Sequence, residues 1–202
     1  MNTDTTPAQN HGEPESVIVV SGLPRSGTSM MMRMLDAGGV PILTDHERRA
    51  DDDNPTGYYE FERVKKLRQG DHEWLSDARG KAVKIISSLL PHLAPGLQYK
   101  IIFLRRALPE ILASQRQMLV RRGEPADPAE DAPMAAVYEK HLAYINRWLS
   151  EQPNLEVLYV DHQQAISEPK PVAARVNGFL GGHLDETAMA AAVEPRLYRQ
   201  RG

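Results

Sequence analysis

The chain has 202 residues, 41% hydrophobic and 25% charged, with a formal net charge of -3 and no cysteine. That balance suits one folded, soluble domain, and the slight acidic excess argues against a general nucleic-acid binder, which needs a basic surface to displace counterions. Without cysteine there are no disulfides, thiolate metal sites or thiol nucleophiles, which fits a cytoplasmic protein.

Residues Met1–Ser16 are polar, carry Pro7 and Pro14, and lack the basic-then-apolar order of a secretory signal. They read as a disordered leader, residues 1–16, ahead of a single domain over 17–202. Val17–Ser21 is almost continuously apolar, the pattern of a strand buried on both faces. A glycine-rich turn follows, and then Met30, Met31, Met34 and Leu35 share one helical face, with Gly38-Gly39 as a stop. Thr44–Tyr59 lacks periodicity and is rich in Asp, with Pro55 and Gly57 near its end. Ala82–Ile86 and Lys100–Leu104 read as further strands. Pro109 then opens a helix to Arg122, with a stripe of Ile111, Leu112, Gln115, Met118 and Leu119. Gly123–Pro133 is a second irregular stretch. Met134–Leu149 has helical spacing through Val137, Tyr138, His141, Leu142, Ile145 and Trp148, and Glu156–Val160 is the last strand.

Strands alternating with helices predict a three-layer α/β/α architecture around a central parallel sheet. In such folds ligands bind beyond the strand carboxyl ends, so the two irregular stretches are expected to carry substrate contacts. No apolar run approaches the ~20 residues of a membrane helix, and no membrane partner is expected.

The segment Gly22-Leu23-Pro24-Arg25-Ser26-Gly27-Thr28-Ser29 lies between the first strand and the first helix. A glycine-rich turn there aims backbone N–H groups at an anion, and the helix N-terminus adds partial positive charge. Set against G-x-x-x-x-G-K-[ST] of the P-loop nucleotidases, both glycines and the last hydroxyl are in register. Thr28 stands where that pattern has lysine, and the cation is Arg25, inside the loop. The change suits an anion without a γ-phosphate. The fold expected is therefore P-loop NTPase-like.

Pro24-Arg25-Ser26-Gly27-Thr28-Ser29 resembles the 5′-phosphosulfate loop of the sulfotransferases, P-[KR]-[SA]-G-[TS]-[TS]. The resemblance implies transfer of a sulfuryl group from PAPS (3′-phosphoadenosine 5′-phosphosulfate) to an acceptor hydroxyl or amine, releasing PAP, with no metal required. Arg25, Ser26, Gly27, Thr28 and Ser29 would cradle the 5′-phosphosulfate. A second anion site is then needed for the 3′-phosphate. Arg106, at a strand end, and Ser114, one turn into the next helix, have the spacing of the family's 3′-phosphate motif, and Arg105 is the alternative ligand. The likeness extends to Leu155–Val160, Asp161, His162, Pro169 and Phe179-Leu180-Gly181. His162 falls near an adenine-contacting tyrosine of the family, and Arg196, Arg199 and Arg201 are further 3′-phosphate candidates.

Lys84 resembles the lysine of the K-T-H motif that lies near the bridging oxygen, but Ile86 stands where that motif has its catalytic histidine. The base must come from elsewhere. A carboxylate shortly after the first helix serves in other sulfotransferases, and Asp45 is the first candidate by position. Glu60 is the second, because the turn and tyrosines before it would shelter its carboxyl, and His46 is the third. For all three a solvated loop charge is the alternative. His141 reads as a satisfied core residue, and Asp51-Asp52-Asp53 fan out and do not converge on a metal. The expected acceptor is a small molecule, glycan or peptide. Two rival readings share the turn: a nucleotide kinase or NTPase with a degenerate phosphate loop, and a non-catalytic nucleotide-binding protein.

Overall fold

The computed structural model describes residues 16–45 and 57–194. The run Val-Ile-Val-Val forms strand β1 (Val17–Gly22), and helix α1 (Thr28–Ala37) follows directly after the loop. The remaining strands are β2 (Ala82–Lys84), β3 (Tyr99–Arg105) and β4 (Leu155–Asp161). Between β3 and β4 lie α2 (Leu108–Arg121) and α3 (Asp131–Glu151), and after β4 come α4 (His162–Ser167), α5 (Pro169–Leu180) and α6 (Glu186–Ala191). Three short 3₁₀ helices, Glu62–Gln69, Glu73–Leu75 and Ser87–His92, fill the stretch around β2.

The sheet has four strands in the order β2-β1-β3-β4, and every pairing is parallel. Side chains alternate across it. Val17 and Val19 of β1 join Tyr99, Ile101 and Phe103 of β3 in a core with the 3₁₀ helices and α3. Val20, Ile102 and Leu104 point the other way, into a core with α1, α5 and α6. Both faces of β1 and β3 are therefore covered, which is why these strands read as nearly continuous apolar runs. The fold is α/β, a parallel sheet flanked by helices, as expected.

The strands match the expected ones closely. Strand β2 ends at Lys84, yet Ile85 N–H still donates to Val20 C=O at 3.0 Å. In α1, Met32 is buried along with Met31, Met34 and Leu35, because α6 covers a flank that the sheet does not reach. Helix α3 starts at Asp131, with an acidic residue in the first turn, where the helix dipole favours negative charge. Only Ile145 and Leu149 of its apolar stripe are fully buried, and Val137 is 58% exposed.

Register decides where the loops meet. Val20 pairs with Lys84, Gly22 with Leu104, and Arg105 with Asp161. The carboxyl ends of all four strands thus form one rim. From β1 the chain passes through α1 to β2 on one side, then crosses to β3 on the other. That reversal opens a crevice at the end of β1, over which the Gly22–Ser29 loop lies.

Candidate active site at the strand carboxyl ends

The loop turns tightly. Ser26 N–H donates to Leu23 C=O at 3.1 Å, and Arg25 between them is held at φ 69°. A left-handed arginine is uncommon, and such strain gathers at functional sites. Gly27 follows at φ 99° and caps α1, whose first helical bond is Met31 N–H to Gly27 C=O at 3.2 Å. The amides of Thr28, Ser29 and Met30 precede that bond and have no place in the helical ladder, so they can serve an anion. Ser26 is buried, and its hydroxyl has no hydrogen-bond partner among the described residues.

Arg106, just past the end of β3, reaches under this loop. Its Nη1 donates to the carbonyl oxygen of Arg25 at 3.0 Å, and its Nε donates to Glu110 Oε2 at 2.9 Å. The Arg25 side chain runs the other way, its Nε donating to Ser114 Oγ at 3.0 Å. The two arginines and Ser114 of the sequence motifs are therefore hydrogen-bonded to one another. Adjacent strands β1 and β3 bring them together. Arg105 departs from them, its guanidinium stacking 3.7 Å above the centre of the Tyr159 ring. Beside the loop is a cleft of about 180 Å³, lined by residues that include Leu23, Ser26, Arg106, Ile111 and Asn146. Asn146 Oδ1 is buried there without a partner among the described residues.

On the other side of β1, Lys84 closes β2. Its Nζ donates to the carbonyl oxygen of Tyr58, lies 3.4 Å from Glu60 Oε1, and sits 5.7 Å from the Tyr58 ring centre. Tyr59 has a left-handed φ of 51° and donates from its hydroxyl to Asp36 Oδ2 at 3.1 Å. These contacts fix the turn that carries Glu60. Thr44 Oγ1 donates to Glu60 C=O at 2.8 Å, and Asp45 N–H donates to the same oxygen at 3.3 Å. The Asp45 carboxylate accepts Glu62 N–H at 2.5 Å, capping the 3₁₀ helix that follows. Lys84, Glu60 and Asp45 thus belong to one cluster, with Glu60 turned to the lysine and Asp45 to the backbone.

His162 opens α4 and is 6% exposed. Its ring lies against Gly27, where a Cβ would come 2.4 Å from His162 Cδ2. Burial, reinforced by the nearby charge of Arg106, brings its pKa down to about 4 and keeps it neutral. The imidazole is packed beneath the loop. Asp161 caps α4 by accepting Gln164 N–H at 2.8 Å. His141 is hydrogen-bonded to Ser87 Oγ at 2.8 Å, and burial lowers its pKa. His46, Asp51, Asp52, Asp53, Arg196, Arg199 and Arg201 lie outside the described residues. Among the described residues, no group of three or more His, Asp or Glu could hold a metal ion, and no helix is long and apolar enough to cross a membrane.

Two contributors escaped the sequence reading. Glu110 was visible only as an acid in the first turn of α2, and nothing in a linear pattern ties it to Arg106. Tyr58, whose carbonyl holds Lys84, acts through its backbone and leaves no signal in residue type.

No curated protein matches the sequence. Among solved structures, the sulfotransferase domain of the Synechococcus PCC 7002 olefin synthase superposes with a TM-score of 0.56 at 16% identity, covering 96% of this chain and 90% of its own. The sulfotransferase STF1 of Mycobacterium tuberculosis H37Rv gives 0.57 at 15% identity, over 89% of this chain and 71% of its own. A sulfotransferase domain from the curacin biosynthetic pathway gives 0.53 at 13% identity, over 93% and 90%. At these identities the likeness is one of fold. The family profile described as the sulfotransferase domain matches residues 15–198, nearly the whole chain including the loop, Lys84, Arg106 and Ser114. The chain therefore belongs to the sulfotransferase domain family.

Proposed function

We propose that the protein transfers a sulfuryl group from PAPS to an acceptor hydroxyl or amine and releases PAP. The observation that carries the reading is the contact between the two cationic motifs, with Arg106 bonded to the Arg25 carbonyl and Arg25 bonded to Ser114. The 5′ and 3′ phosphates of PAPS hang from one ribose, so their receptors must be neighbours. The orphaned Ser26 hydroxyl and the open amides of α1 suit the 5′ side. Arginine suits both sides, because its planar fork pairs with phosphate oxygens.

PAPS supplies an activated sulfuryl group when bound. Arg25 and the loop hydroxyls balance the charge that builds on the leaving 5′-phosphate. Lys84, at the end of β2 on the other side of β1, is the second cation assigned to that centre. Glu60 is the carboxylate best placed to take the acceptor proton, since it faces Lys84 while Asp45 caps the backbone. Placement and electrostatics account for most of the expected rate, by analogy with phosphoryl transfer. The cytoplasm remains the expected compartment, and a small molecule, glycan or peptide the expected acceptor.

Calorimetric titration with PAP and with Mg–ATP tests the proposal. PAP is expected to bind and Mg–ATP to bind far more weakly. Arg25→Ala and Arg106→Ala should each weaken PAP by about tenfold to a hundredfold, the loss of one charge-assisted contact. Wild-type affinity in both variants overturns the site.

A further inference from the structure

The carboxylate of Glu110 is out of place on simple electrostatic grounds. It sits in the first turn of α2, one turn before Ser114, at the rim where the proposed reading puts a doubly phosphorylated nucleotide. A negative charge there should repel that ligand. Yet it is tucked in, its side chain 13% exposed against 9% for Arg106, and the two are 2.9 Å apart. A buried guanidinium without a carboxylate is costly, and its planar group can swing about a flexible stem. Glu110 fixes both its charge and its direction.

That direction is what reaches the loop. With Nε bound to Glu110, Nη1 of Arg106 meets the carbonyl oxygen of Arg25, the residue held at φ 69°. The Arg25 side chain then returns to Ser114 at 3.0 Å, so a circuit runs from α2 through Arg106 and the loop and back to α2.

We propose that Glu110 is a positioning residue for both anion clamps: it aims Arg106, and through the Arg25 carbonyl it holds the phosphate loop in its binding shape. This rests on the PAPS reading for its ligand but not for its structural content. The role assigned to Glu110 is exerted through Arg106. Its effect is transmitted from a helix to a loop on the neighbouring strand, so it must extend to a ligand that lacks the 3′-phosphate.

The experiment compares wild type, Glu110→Ala and Glu110→Gln in three measurements: PAP titration, AMP titration, and hydrogen exchange of the amides of residues 22–29 without nucleotide. Although it removes a negative charge beside a phosphate site, Glu110→Ala is expected to weaken PAP by about tenfold, the loss of a hydrogen bond to a charged group. AMP, which has only the 5′-phosphate, should weaken by a similar factor, and the loop amides should exchange faster. Glu110→Gln keeps an acceptor oxygen at the same reach and should fall between wild type and alanine. If the alanine variant does not fold, the glutamine variant carries the test, with the same direction at smaller size. A residue that merely starts a helix would leave the AMP affinity and loop exchange untouched, and that result overturns the proposal. So does PAP binding as tight as wild type, or tighter. Wild-type protein that binds neither nucleotide refutes the PAPS reading. The loop exchange then still decides the structural claim.

Discussion

The contact between Gly27 and His162 permits a quantitative test of the loop's architecture. Gly27→Ala adds one methyl group where two separate demands are made. The first is conformational, since φ is 99° at Gly27 and a left-handed non-glycine residue costs roughly 1–2 kcal/mol. The second is steric, because the new Cβ would stand 2.4 Å from His162 Cδ2, far inside the roughly 3.5–4.0 Å of a comfortable carbon contact. His162 is buried at the start of α4 and has little room to retreat, so the overlap should add about 1–3 kcal/mol. Urea unfolding should therefore show a loss of about 2–5 kcal/mol, with PAP affinity falling as the α1 amides are displaced. A double-mutant cycle separates the two demands. Against His162→Ala, which removes the ring, Gly27→Ala should cost less than in the wild-type background, with a coupling energy of about 1–3 kcal/mol. Additive costs would show that the ring and the glycine do not meet, and the account of the loop's support would fail. Wild-type stability in the single variant would refute it outright.

Lys84 and His162 yield two further expectations. Lys84→Ala should reduce labelled-sulfate transfer by about a hundredfold or more, as removing one preorganised donor typically does, while PAP affinity changes much less. Unchanged turnover at saturating PAPS with PAP binding much weakened would reverse its role, making Lys84 a donor-binding residue alone. His162 titrates at about 4 in the folded protein against 6.5 for the free side chain, so between these values the unfolded chain binds more protons than the native one. Its contribution is complete above pH 6.5 and fades as pH falls toward 4, by about 3 kcal/mol in all. His162→Gln should flatten this part of the stability profile, and an unchanged slope would show that another group is responsible.

Much of the fold could be read directly, for local reasons. Val17–Gly22 and Tyr99–Arg105 are nearly continuous in apolar residues because both faces of these strands are covered, and such runs need no knowledge of what covers them. The loop was legible for the same reason: its glycines, its arginine and the helix it opens are contiguous in the chain. Helix α3 shows where periodicity stops. Its stripe is regular from end to end, but spacing reports only which face is apolar and not what covers it, and Val137 is 58% exposed.

By itself, then, the order of residues determined the strands, the anion loop and the pair Arg106 and Ser114, since each depends on neighbours within one or two turns. It ranked Asp45 ahead of Glu60 by position, kept Arg105 as the alternative to Arg106, and gave Glu110 no role. The contacts of these side chains follow from strand order and register, which bring β2 and β3 to either side of β1, with Lys84 beside Glu60 and Arg106 at the Arg25 carbonyl. The physical reason is that hydrogen bonds and charge pairs act over a few ångströms in space, whatever the separation along the chain. Arg25 and Ser114 are 89 residues apart in sequence and 3.0 Å apart in the fold.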